Sequence, residues 1–165
     1  MKKNQLIFNK VTFIALSILL FIYQQEIKAQ TEDTSILGKV LTGYQGWFNS
    51  DSDGSGLDWK HYKTASGAFE PGEVTIDFWP DMSEADADEK YETAFTKIDI
   101  SAATVFSSAN TKTVNRHFKW MDDYGIDGVF FQQFASNLKS NSVPAKTNDK
   151  KVLDNIITAA KANNN

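Results

Sequence analysis

The chain has 165 residues, a formal net charge of −4 and no cysteine. The missing thiols exclude disulfides, thiol catalysis, cysteine–zinc sites and a lipidated cysteine anchor. The acidic balance argues against nucleic acid as a partner, because phosphates require a basic footprint.

Lys2, Lys3 and Lys10 flank an apolar run over Val11–Ile22 that is too short to span a bilayer. This is the pattern of a signal peptide, with cleavage expected after Ala29. The alternative is an uncleaved N-terminal anchor. Residues 1–29 hold four lysines against one glutamate, so their removal leaves a chain of net charge −7. The expected product is exported (periplasmic, cell-surface or extracellular), with no stable membrane insertion once the signal is cleaved. About 135 residues then remain, enough for one modest core. Residues 30–36 read as a mobile lead-in and 37–165 as a single domain.

Val40–Tyr44 reads as the first strand, running on into Gln45-Gly46-Trp47-Phe48. Its two glycines allow close backbone approach beside large aromatic rings. Asn49–Gly56 is composed of turn formers. Its Asp-x-Asp-Gly start has the look of a calcium loop, but Tyr62 stands where that loop needs a glutamate, so a solvated turn is expected. Val74–Asp81 reads as an extended segment stopped by Pro80. Ser83 with Asp86 resembles a capping box, and Ala85–Phe95 reads as an acidic helix.

Ala103–Phe134 reads as one β-α-β unit. Ala103–Phe106 is a buried strand, and Val114, Phe118 and Met121 fall at i, i+4 and i+7 on one helical face. Asn110, Thr111 or Thr113 caps the helix start, and Gly125 supplies the left-handed stop. Gly128–Phe131 is the next strand, expected parallel to 103–106 with a right-handed crossover. A last helix begins at Thr147 or Asn148, with Val152, Ile156 and Ala159 or Ala160 inward. Three strands and three helices therefore alternate. The first strand-to-strand connection exceeds fifty residues and is rich in Trp, His, Tyr and Asp, as in the loops of a (β/α)8 barrel.

Three of the four tryptophans, Trp47, Trp59 and Trp79, sit at or beyond strand ends. Flat indoles there suit the apolar faces of sugar rings, while Asp, Gln, Ser and His bond hydroxyls. Ordinary packing is the competing reading for each. Asp77 and Asp81 flank Trp79-Pro80 as candidate hydroxyl acceptors, against surface charge or capping. His61 is a candidate ligand, acid or base, or a packed loop residue. His117 reads as a surface residue beside Arg116, with Trp120 packing on the same helix. Ser107-Ser108 has no His–Asp partner in register, so a serine triad has little support. Glu70/Glu73 and Glu89/Glu92 have tempting spacing for a carboxyl pair. Neither pair falls at a strand's C-terminal end, and both are set aside as catalytic.

Gly43–Phe48 (GYQGWF), Phe78–Glu84 (FWPDMSE), Val105–Asn110 (VFSSAN) and His117–Phe134 resemble the N-terminal part of secreted bacterial proteins of the glycoside hydrolase family 71/99-like group. Some members carry xylosidase or endo-α-mannosidase names. The resemblance spans residues 37 to about 162. It implies the first three β-α units of a truncated (β/α)8 barrel, hydrolysis of a glycan, and no cofactor or metal. It also implies that Tyr44, Gln45, Trp47, Trp59, His61, Asp77, Trp79, Asp81, Ser107 and Gln132 line the pocket. Gln-Arg is expected where Gln132-Gln133 stands. The group's acid pair lies on later strands, so the catalytic residues are unassigned and this chain alone is expected to be inactive. The rival reading is a non-catalytic secreted carbohydrate-binding protein.

Overall fold

The computed structural model describes residues 35–139 and 141–163. The expected signal peptide over 1–29, and most of the lead-in, lie outside these residues. The chain divides into two compact units between Gly38 and Lys39. In the first, the Leu37 N–H donates to Ser35 Oγ at 3.1 Å. The second holds every strand and helix described.

The elements of that unit are β1 (Leu41–Tyr44), a 3-10 turn (Ala87–Glu89), β2 (Tyr91–Thr96), β3 (Ala102–Val105), α1 (Thr111–Asp123), β4 (Gly128–Phe131), α2 (Ala135–Lys139) and α3 (Val143–Ala162). β1 pairs with β4 in parallel, Leu41 facing Gly128 and Tyr44 facing Phe131. β2 pairs with β3 antiparallel, with an irregularity between Glu92 and Thr96. The result is two separate two-stranded sheets. This corrects the barrel expectation, because neither sheet closes on itself and four described strands do not make a (β/α)8 wall. It also corrects the expected pairing. β3 and β4 lie in different sheets, and the parallel neighbour of β4 is β1.

The largest local error is the acidic helix over Ala85–Phe95. Only Ala87–Glu89 is helical, and Tyr91–Thr96 is a strand in which half-buried and exposed residues alternate. Tyr91, Thr93 and Phe95 recur every second residue, which is a strand period. The carboxylates ahead of them gave a helix-start pattern that the alternation overrides. The segment Val74–Asp81 forms no strand.

α1 follows its expected plan. Asn110 Oδ1 accepts from the N–H groups of Lys112 and Thr113 at 2.9 and 3.3 Å. At the other end Gly125 has φ +72°. Its N–H reaches the Asp122 carbonyl at 3.1 Å, and the Ile126 N–H reaches Met121 at 2.8 Å. These two bonds satisfy carbonyls that a helix end leaves unpaired. α3 starts earlier than expected. Ser142 is its cap and Pro144 sits in its first turn, where a missing N–H costs nothing. Asn148, expected at or near the start, is buried inside the helix.

Two apolar clusters result. Tyr44, Val114, Phe118, Val152, Ile156 and Ala159 form the first, joined by Met121, Val129 and Phe131, where α1 and α3 cover the β1–β4 sheet. Tyr62, Phe69 and Val105 form the second, joined by Phe48, Trp59, Ile76 and Phe95 over the β2–β3 hairpin. Full burial of one such side chain contributes about 1.5–3 kcal/mol. Between them runs a polar pin. The Asp53 carboxylate accepts from Asn49 Nδ2, the Ser50 and Ser55 N–H groups and Ser107 Oγ, at 2.6–3.0 Å. Asn49 and Asn148, both buried, exchange amide bonds at 3.1 and 3.3 Å.

Gly46 needs its missing side chain, because a Cβ there would lie 2.7 Å from Val152 Cγ1 and 2.8 Å from Phe131 Cε2. Gly46→Ala should therefore destabilise the fold by about 1–3 kcal/mol, read as a lower urea midpoint. The opposite change is expected at the β2–β3 loop. Ile100 has φ +64° and is 88% exposed. A β-branched residue in that region is strained, and the three-residue hairpin loop favours Gly or Asn there. Ile100→Asn should raise stability by roughly 0.5–1 kcal/mol at unchanged urea m-value.

Candidate functional site

The residues singled out in the sequence do not converge on one pocket. Tyr44 is in the first core. Its hydroxyl shares a hydrogen bond of 2.9 Å with His117 Nδ1, and burial pushes its ionisation well above the ordinary range. Ser107 is buried and donates to Asp53. Trp59 packs on Phe69 at 5.1 Å inside the second cluster. Trp79 edges that cluster, its Nε1–H donating to the Thr104 carbonyl at 2.9 Å. Trp47 lies 4.6 Å from Phe134 between ring centroids, and His61 stacks on the same Phe134 within 8° of parallel. Gln45, Asp77 and Gln132 are exposed. Asp81 is exposed too, and the Ser83 N–H bonds its carboxylate at 2.8 Å, which holds its pKa below the usual range.

The Asp-x-Asp-Gly loop does not present a calcium site. Asp53 points inward, and its oxygens are occupied by the four donors named above.

Asp81 opens on a cleft of about 420 Å³ between the 80–85 segment and one side of α1. The helix supplies Thr113, Arg116, His117 and Trp120, and its C-cap supplies Tyr124. These recur at helical spacing as a second stripe, beside the core stripe of Val114, Phe118 and Met121. That stripe was the available sequence signal, obscured by reading His117 as a surface residue.

Glu89 lies at the cleft's inner wall and is 0% exposed. Arg116 grips its carboxylate with Nε at 3.0 and 3.1 Å and Nη2 at 2.6 Å. The Asp86 N–H adds a bond at 3.0 Å. Burial raises the Glu89 pKa, but these bonds and the guanidinium charge outweigh it, so the group stays below the ordinary glutamate value. Asp86, Asp88 and Glu89 place carboxylate oxygens within 4.8 Å of one another. Lys112 and Arg116 already fill that space, bonding Asp86 at 2.6 and 3.0 Å and Asp88 at 3.0 Å. The cluster is a clamp of three carboxylates on two cations, its shared space taken by Lys112 and Arg116 rather than open to a metal ion.

His117 packs against Tyr44, Phe106 and Trp120. Burial depresses its pKa to about 4, with the Glu89 charge opposing and Arg116 assisting. It is therefore neutral at pH 7. Trp120 donates its Nε1–H to Glu84 Oε2 at 2.8 Å across the cleft. What the arrangement offers chemically is an aromatic lining, carboxylate acceptors at the rim, and a locked ion pair behind.

An unfolded histidine titrates near 6.5, whereas His117 in the fold titrates near 4. Between those values the unfolded state binds the extra proton, so stability should fall as pH drops from about 6.5 to 4. The loss is expected on the order of 2–3 kcal/mol. The Glu89 pKa is shifted in the same direction, below its unfolded value, so its contribution too is lost toward acid, at lower pH. It is intact above the unfolded glutamate pKa and disappears only as pH falls through the lower folded value. Urea unfolding of His117→Gln across this window should show a markedly shallower slope than the parent chain.

Comparison with known proteins finds no match among family models, curated proteins or solved structures. The resemblance to the glycoside hydrolase 71/99-like group is therefore corrected, along with the hydrolase, glycosidase and xylosidase assignments that rested on it. The barrel those assignments need is not formed by the described residues.

Proposed function

We propose that this chain is a binding protein, and that the α1 cleft holds one ring-sized, hydroxyl-bearing ligand. A glycan is the partner class, carried forward from the sequence as a binding partner and not as a substrate. The observation that carries the reading is the single cleft joining Trp120, His117, Phe106 and Tyr124 to the rim acceptors Asp81 and Glu84. Its volume is in the range of small-ligand sites, which are usually lined by apolar and aromatic side chains with a few placed polar groups; here Phe106, His117, Trp120 and Tyr124 stand among Asp81, Ser83 and Glu84. Indole edges and faces receive the apolar side of a sugar ring, while carboxylates accept from adjacent hydroxyls. The carboxyl most deeply placed, Glu89, is committed to Arg116.

The rim charge disfavours phosphates, which supports the expectation from net charge that the partner is not nucleic acid. We also propose export with removal of the leader over 1–29, resting on the charged start and apolar run alone. Among the described residues no helix is long and apolar enough to cross a membrane. Trp47 and His61, exposed in part and both packed on Phe134, are proposed as a further contact for a longer ligand.

Trp120→Ala should weaken oligosaccharide binding at least tenfold, measured by calorimetric titration, while far-UV circular dichroism stays unchanged. Unaltered affinity in a folded variant would remove the cleft from consideration.

A further inference from the structure

We infer that the ligand of this cleft carries a protonated amine, which makes an amino sugar the class it selects; the sugar part rests on the binding reading above. Five carboxylates line or back the cleft: Asp81, Glu84, Asp86, Asp88 and Glu89. Among the described residues two cations bond any of them, Arg116 and Lys112, and both are spent on the inner three. The nearby Lys119 places its ammonium on Asp123, at 2.7 Å. Asp81 receives the Ser83 N–H and Glu84 receives the Trp120 indole N–H. These are neutral donors; Lys119 feels the Glu84 charge but is bonded to Asp123, and among the described residues no cation bonds either rim carboxylate.

The aromatic lining acts in the same direction. Trp120 and Tyr124 line the opening beside these carboxylates. An ammonium there gains from the negative ring faces as well as from the two oxyanions. A neutral ring gains only the stacking and hydroxyl bonds. An acidic sugar meets like charge. Arg116 does not rescue an anion, because its guanidinium already holds Glu89 and Asp86.

The test titrates the intact purified chain near pH 6 with a glucosamine tetramer, its fully N-acetylated counterpart and cyclohexylammonium. The free-amine tetramer should bind about tenfold more tightly than the acetylated one. The advantage should shrink as salt is raised, since the rim is exposed. It should disappear in the Asp81→Asn/Glu84→Gln double variant, which keeps shape and the indole's acceptor. Equal binding of both tetramers overturns the amine inference and leaves the saccharide reading intact. Binding of cyclohexylammonium without either tetramer overturns the saccharide reading and supports the amine. Binding of none overturns both. A double variant that melts like the parent and keeps the full advantage overturns the role of the two carboxylates. Should the double variant fail to fold, the salt series on the unaltered chain decides alone: an advantage that does not shrink overturns the inference.

Discussion

A carboxylate with no access to water must be matched, and the charge of Glu89 is matched by one residue, Arg116. Removing a buried anion from water costs several kcal/mol, which is recovered only with good geometry and enough donors. Arg116 provides three contacts and the Asp86 N–H a fourth. The consequence is positional. The Ala87–Glu89 turn is fastened to the middle of α1, so the 80–85 segment before it and β2 after it have fixed starting points. The cleft is the space this clamp holds open, between a helix and a segment that forms no regular structure of its own.

The same dependence on α1 runs through the rest of the fold. A two-stranded sheet is marginal by itself and needs packing to persist. The β1–β4 pair obtains it from α1 and α3 through Tyr44, Val114, Phe118 and Ile156. The β2–β3 pair obtains it from a long loop whose Tyr62 and Phe69 lie over Val105. That loop is held by Asp53, a carboxylate whose acceptor capacity is used entirely within the protein. The polar stretch 49–56 is thus an internal fastening in part, and Asn49 and Ser50 are fully buried within it.

Neutral His117 links the two faces of α1. Its Nδ1 meets Tyr44 in the core, while its ring forms part of the cleft lining beside Trp120. A cationic imidazole in that position would be desolvated next to Arg116, which is why burial keeps it unprotonated. The cleft is therefore acidic by its rim and neutral by its wall, and ligand charge is read at the mouth.

Some of this was determined by local sequence. Asn110 and Gly125 bound α1 because capping and left-handed backbone are properties of single residues, and Val114, Phe118 and Met121 set its core face by spacing alone. The inward face of α3, with Val152 and Ile156, followed from the same period. Gly46 was legible as a close approach, though its contacts with Val152 and Phe131 were not. Other features were decided only by tertiary structure. Strand partners depend on which hydrophobic surfaces meet, and nothing in Leu41–Tyr44 or Gly128–Phe131 specifies that they pair with each other. A resemblance in short motifs supplied a barrel that this pairing does not build. Glu89 and Arg116 are far apart in the chain, and each alone is an ordinary surface charge. Their burial, and with it the cleft, exists only because the turn carrying one packs against the helix carrying the other.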